Sequence, residues 1–379
     1  NPALGMTSSA RPLAITAGKT EKQDFKVTVP ATLTGGTYPI TFTLTGAKGA
    51  VAAENVPMRV REPLVMERIS PTLVKGQKGL RISLSEERGA ASAGKISVTV
   101  KGSPENKAEQ SFRLEAGKKQ NIVALFPSLD IPSIQALPLE LSLQTDEGCA
   151  LTTATKVNFL MAKHVAENAD PADEKMWADV PGVKIAGPTF LFGSKDNYQG
   201  NQDVQAEVRF AWNAKGLLVY CDVTDDAFLQ EMDLDKAWAQ DSIQMAFNLD
   251  PEKADLGINT EAVGLMRASE LIVAKTKAGD KAMRSWSAEK RYLPTGSMPA
   301  DELSLRITVK ENHILYTMCV PWSVMGGTQA PGLGDSLTTA VLINDLDPGE
   351  KGTRSQLQLF GGISEGKFPE RYGWLILGD

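Results

Sequence analysis

The same phrases of alternating apolar and polar residues occur twice in the N-terminal part of this chain, always 99 positions apart, and that fixed offset restricts the fold more than any other feature. Ala17-Gly18-Lys19 returns as Ala116-Gly117-Lys118, and Pro39-Ile40-Thr41-Phe42-Thr43-Leu44 returns as Pro138-Leu139-Glu140-Leu141-Ser142-Leu143. Gly49 returns as Gly148, and Met58-Arg59-Val60 as Val157-Asn158-Phe159. One such match is what chance gives among short strands; four landmarks at one offset mean two copies of a unit of about 100 residues. Within the copies, Phe25-Lys26-Val27-Thr28-Val29, Ile40 to Leu44, Ile82-Ser83-Leu84, Ile96 to Val100 and Leu139 to Leu143 alternate with period two. That is the pattern of half-buried antiparallel strands, and no stretch here repeats apolar residues at helical spacing.

A unit of this length and pattern is the size of an immunoglobulin-like β-sandwich. The second copy runs from Leu64 to Ala162. By the same register the first copy begins some 35 residues before Asn1, so the expectation is a fragment of a longer protein, cut inside a sandwich. At 379 residues the chain also exceeds what one core supports. Three domains are expected: a partial immunoglobulin-like sandwich over 1–62, a complete one over 63–163, and a larger jelly-roll-like sandwich over 164–379, entered through the polar connector Lys163 to Pro171. With 42% apolar and 23% charged residues the composition is globular, and no apolar run approaches the roughly 20 residues of a membrane span. A net charge of −6 without a basic, aromatic-interleaved stripe argues against a nucleic-acid partner. Cys149, Cys221 and Cys319 lie far apart and are expected as buried thiols. His164 and His313 have no nucleophile or metal partner near them in sequence, which argues against an enzyme.

In the last 210 or so residues, Val204 to Phe210 and Leu217 to Val223 form a predicted hairpin around Asn213-Ala214-Lys215-Gly216. Trp177, Trp212, Trp322 and Trp374 adjoin core-like residues and are expected to pack. Trp238 differs, because it ends the polar loop Asp233-Leu234-Asp235-Lys236-Ala237 just before a strand. A flat aromatic there can stay partly exposed and stack on the C–H face of a sugar, while amides and carboxylates bond the hydroxyl rim. Gln240, Asp241, Gln244 and Asn344 are the candidate rim groups.

Several phrases of this domain occur together in a known order. They are Asp173-Glu174-Lys175-Met176-Trp177; Val208 to Asn213 with Gly216 to Tyr220 and Val223-Thr224-Asp225-Asp226; Trp238-Ala239-Gln240-Asp241-Ser242-Ile243-Gln244; and Ile314-Leu315-Tyr316 with Val320-Pro321-Trp322-Ser323. The tail adds Asn344-Asp345 with Arg354, then Gly361-Gly362-Ile363, Lys367, Pro369, Tyr372-Gly373 and Leu375-Ile376-Leu377. From Asp170 to Leu377 the chain thus resembles the family 9 carbohydrate-binding modules of secreted glycoside hydrolases, and the two preceding units look like the immunoglobulin-like spacers beside such modules in bacteria. The resemblance implies a non-catalytic accessory region, secreted or at the bacterial cell surface, whose partners are a glycan and a catalytic domain of the same parent protein. It gives Trp238 the place of one of two tryptophans that sandwich a terminal sugar, and adds Arg354 to the candidate ligand set. Where the second tryptophan belongs, this chain has Ser364-Glu365-Gly366-Lys367-Phe368, leaving Phe368 as the candidate second wall. Gln244 stands for a glutamate and Leu342 for a glutamine. A decayed sugar site in a structural spacer is the alternative. Family members also carry structural calcium, a hard cation that takes carboxylate oxygens; Asp225, Asp226, Asp345 and Asp347 are the candidate ligands, against the alternative of solvated acidic turns.

Overall fold

The computed structural model describes residues 35–192, 197–251, 266–349 and 355–379, with 12–14, 16, 18–25, 27 and 33. Arg354 lies outside the described residues, as do Ala17 of the repeat and Lys26, Thr28 and Val29 of the first expected strand. The described structure is all-β as expected, with helix only as short turns between strands. Among the described residues no helix is long and apolar enough to cross a membrane. The chain divides into two compact units: Asn1–Ile69, Arg81–Leu125 and Leu139–Thr155 make one, and Ser70–Leu80, Phe126–Pro138 and Lys156–Asp379 the other.

The first unit contains the hairpin Gly36–Gly46/Gly49–Val60 and strands of two further sheets. One sheet orders Leu64–Val74, Gln77–Glu86 and Lys119–Leu125; the other orders Ser103–Leu114, Ser92–Val100, Leu137–Thr145 and Ala150–Val157. Alternation sets the faces. Leu139, Leu141 and Leu143 are buried while Glu140, Ser142 and Gln144 are exposed, and Val98 stands opposite Leu141 across the pair. The 99-residue offset carries over into the elements: moved by it, the hairpin falls on Leu137–Thr145 and Ala150–Val157.

The second unit is built around one strand shared by two sheets. Leu160–His164 pairs parallel with Gly373–Leu377 on one side and with Val204–Trp212 on the other. From it one sheet runs through Gly373–Leu377, Ser336–Asp345, Ser242–Asn248, Ala268–Thr276, Gly279–Ser287 and Gly296–Met298, with Ser355–Leu359 also on Ser336–Asp345. The other runs through Val204–Trp212, Gly216–Asp225, His313–Pro321 and Arg306–Lys310, with Gly182–Ile185 on Val204–Trp212. The inward row of each strand forms one core, including Val208, Phe210, Cys221, Met245, Phe247, Tyr316, Val341 and Ile343. Trp177, Trp212 and Trp322 are buried, and each indole N–H donates to a backbone carbonyl, of Pro171, Gly378 and Asn213 at 2.8–2.9 Å. All three cysteines are free thiols; Cys149 and Cys221 are buried and Cys319 partly so.

Candidate functional site

Because Ile243, Met245 and Phe247 face the core, Gln244 points to the opposite, outer face of its sheet. There it shares a cross-strand row with Ile272 and Met283. A loop carries Trp238 over this face. The 3-10 turn Leu234–Ala239 buries Ala237 against Ile272 and Ala274, which leaves Trp238 outward with 43% of its surface exposed. The turn is fixed from below by Ser242 Oγ and Gln230 Nε2, both donating to the Ala237 carbonyl. Between this loop and the 361–368 loop lies a cleft of about 420 Å³, lined by Trp238, Gln244, Phe192, Gln356, Ser364 and Lys367 among others.

Amides form the base of the cleft. Gln356 Nε2 donates to Asn344 Oδ1 at 2.7 Å, Asn344 Nδ2 donates to Ser242 Oγ at 3.1 Å, and Gln244 Nε2 reaches the same Asn344 oxygen at 3.5 Å. Phe192 stands at the edge because Leu191 bridges Leu357 and the Phe192 N–H donates to the Gln356 carbonyl at 2.9 Å. The facing loop is tight. Gly362 has φ +100°, and a Cβ there would lie 2.4 Å from the Phe368 carbonyl oxygen, so no side chain fits. Below the loop, fully buried Glu270 accepts from Lys367 Nζ and from Tyr372 Oη at 3.1 Å. Burial pushes its carboxyl above the usual range, and the Lys367 charge opposes that rise.

Of the candidate ligand residues, the structure brings Trp238 and Gln244 to the cleft and Asn344 beneath it. Gln240 and Asp241 turn away. The Gln240 side-chain carbonyl accepts from the Glu231 and Met232 amides, and Asp241 accepts from the Leu229 and Leu346 amides, so both brace loops. Phe368 lies beside the cleft with the Arg371 guanidinium 4.6 Å from its ring. Phe192, Gln356 and Lys367 were not singled out as ligand residues from the sequence. An aromatic before a polar loop and a glutamine in a short strand carry no signal without the pairings that place them.

At one end of the sandwich the carboxylates converge. Asp225 and Asp345 are the last residues of their strands, and Asp203 precedes Val204–Trp212. Asp203, Asp226 and Asp347 form one group and Asp225, Asp345 and Asp347 another, with one oxygen from each member within 4.8 Å of the others. The four candidate metal residues therefore lie together, with Asp203 as a fifth. Burial and then the charges of Asp241, Asp225, Asp203 and Asp347 push Asp345 up to about 9; burial and then Asp225 push Asp241 up to about 8. This concentration of like charge and hard oxygen donors fits a divalent cation. Away from it, Nδ1 of the partly exposed His313 lies 2.9 Å from Asp222 Oδ1 on the neighbouring strand, and His164 contacts the Trp212 ring at 4.7 Å.

No protein-family model matches the chain, and no curated protein matches it. Among solved structures it is similar to a family 9 carbohydrate-binding module from Caldicellulosiruptor kristjanssonii in complex with glucose, at 12% identity and TM-score 0.41 over 58% of this chain and 96% of that one. The same module in complex with cellotriose matches at 12% identity and TM-score 0.40, over 58% and 93% of the two chains. A putative carbohydrate-binding protein from Bacteroides uniformis matches at 12% identity and TM-score 0.40, over 57% and 98%.

Proposed function

We propose that the second unit binds a sugar, without catalysis, in the cleft below Trp238. The observation that carries this reading is an indole with 43% of its surface exposed, on the wall of a cleft whose base is a row of amides. A pyranose needs that pairing, an apolar plate for its C–H face and directional donors and acceptors for its rim. The cleft volume lies within the range of small-ligand sites. Hydrolysis of a glycoside needs two carboxyls roughly 5–10 Å apart across the scissile bond. Among the described residues the lining offers one carboxyl, that of Asp235, and the nearby Glu270 is engaged by Lys367 and Tyr372. In the wider reading the chain is an accessory region of a secreted bacterial carbohydrate-active enzyme, whose catalytic domain is its partner.

Titration calorimetry with glucose and cellotriose, followed by a glycan array, tests the site. Wild type binds a sugar, and Trp238→Ala weakens it at least tenfold, a change of about 1.4 kcal/mol. Absence of binding by wild type, or equal binding by Trp238→Ala, would end the reading. We also propose that Asp203, Asp225, Asp226, Asp345 and Asp347 hold a calcium ion, which would tie together three strand ends. Its charge would offset the repulsion that these carboxylates otherwise concentrate.

A further inference from the structure

The cleft has a feature that packing alone does not require. Glu270 is fully buried in the middle of Ala268–Thr276, and its partner cation is Lys367, in the cleft wall. Taking the Glu270 carboxylate out of water costs several kcal/mol before its attraction to the partly exposed Lys367 returns any of it, and an apolar residue of similar size fills such a place as well or better. Lys367 also has φ +71°, a conformation that strains a residue bearing a Cβ, and strain of this kind clusters at ligand clamps and other functional sites. Its side chain keeps 34% of its surface exposed. An ammonium carries three N–H donors, and Glu270 takes one of them.

We propose that Lys367 is the cleft's charged hydrogen-bond donor to a sugar hydroxyl, and that Glu270 is the positioning residue that aims its ammonium. This rests on the sugar-binding reading and deepens it by naming the class of ligand. Glu270 already matches the lysine charge, and Asp235 adds a further carboxylate to the lining. Among the described lining residues Lys367 is the one cation and its charge is already matched, which favours a neutral sugar over a uronic acid.

The full chain is titrated calorimetrically with glucose, cellotriose, glucuronate and singly deoxygenated glucoses. Wild type is compared with Trp238→Ala, Lys367→Met and the double variant Glu270→Gln/Lys367→Met, which leaves no unpaired buried charge should the single variant fail to fold. Glucose or cellotriose binds at least tenfold more tightly than glucuronate. The double variant, and Lys367→Met where it folds, weaken the neutral sugar about tenfold. One deoxygenation that costs wild type affinity costs these variants nothing further, a signature that a loop-bracing lysine would not give. A folded Lys367 variant that binds like wild type, or that loses as much as wild type on every deoxy analogue, overturns the proposal while a Trp238-dependent affinity keeps the site. Preference for glucuronate overturns the ligand class. No binding of any of these sugars by wild type removes proposal and site together.

Discussion

Trp238 and Phe192 are held at the cleft in different ways, and the difference decides how each could be found. Trp238 sits on a short turn anchored by buried Ala237, at the end of a run of polar residues, so its exposure was legible from sequence. Phe192 owes its place to a backbone bond with Gln356, more than 160 residues away, which no local pattern announces. Phe368 had the better local case, following a loop where an aromatic is expected, but its ring packs under Arg371. Gln240 and Asp241 met the spacing for rim groups and instead satisfy loop amides, because a buried N–H left without an acceptor costs about 1–3 kcal/mol. The expectation at this scale is therefore that Phe192→Ala weakens sugar binding several-fold while Phe368→Ala leaves it within twofold. Calorimetric titration of both variants beside Trp238→Ala checks it, and the reverse ranking would return the second wall to Phe368.

Elements related by the 99-residue offset share a register and differ in what covers them. Leu141 and Leu143 are 0% and 1% exposed, while their counterparts Phe42 and Leu44 are 37% and 42% exposed. In the second copy the pair Leu137–Thr145/Ala150–Val157 continues into Ser92–Val100 and Ser103–Leu114, and its inner row is closed over. Phe25 meets Phe42 edge-on at 5.4 Å, a contact at the positions equivalent to buried Ala124 and Leu141. The alternation thus gave the strands and faces of the second copy and the hairpin of the first, since period two is a local property, while Phe25 and Val27 of the expected Phe25–Val29 strand lie in no strand. Burial depends on what lies opposite, and so it did not transfer. Leu141→Ala should cost about 2–5 kcal/mol and Phe42→Ala no more than about 1 kcal/mol, although both truncate the same register position. Urea unfolding of the two variants measures this. A loss at Phe42 equal to that at Leu141 would mean that the hairpin face is covered in solution.

Across the whole molecule, the acidic cluster links strand ends that are far apart in sequence, and its electrostatics set how stability varies with pH. Sequence supplied two acidic turns about 120 residues apart, at Asp225-Asp226 and Asp345 to Asp347; the two sheets bring them together and add Asp203, a lone acid before a strand that no pattern marked. Without a cation, Asp241 and Asp345 hold their protons up to about 8 and 9, whereas in the unfolded chain they release them near 3.9. Between about pH 4 and 9 the native state therefore binds more protons than the unfolded one, and stability falls as pH rises, at up to about 1.4 kcal/mol per pH unit for each proton. Calcium needs the ionised carboxylates, so it displaces those protons and reverses the loss. At a free concentration 100-fold above its Kd it adds about 2.7 kcal/mol. The melting temperature in chelator should fall from pH 5 to pH 8.5, and the increment on adding calcium should grow across the same window. Asp345→Asn should flatten the chelator profile and lose most of the calcium increment. A chelator profile that rises with pH would mean that these carboxyls ionise without strain, and an undiminished calcium response in Asp345→Asn would place the ion elsewhere.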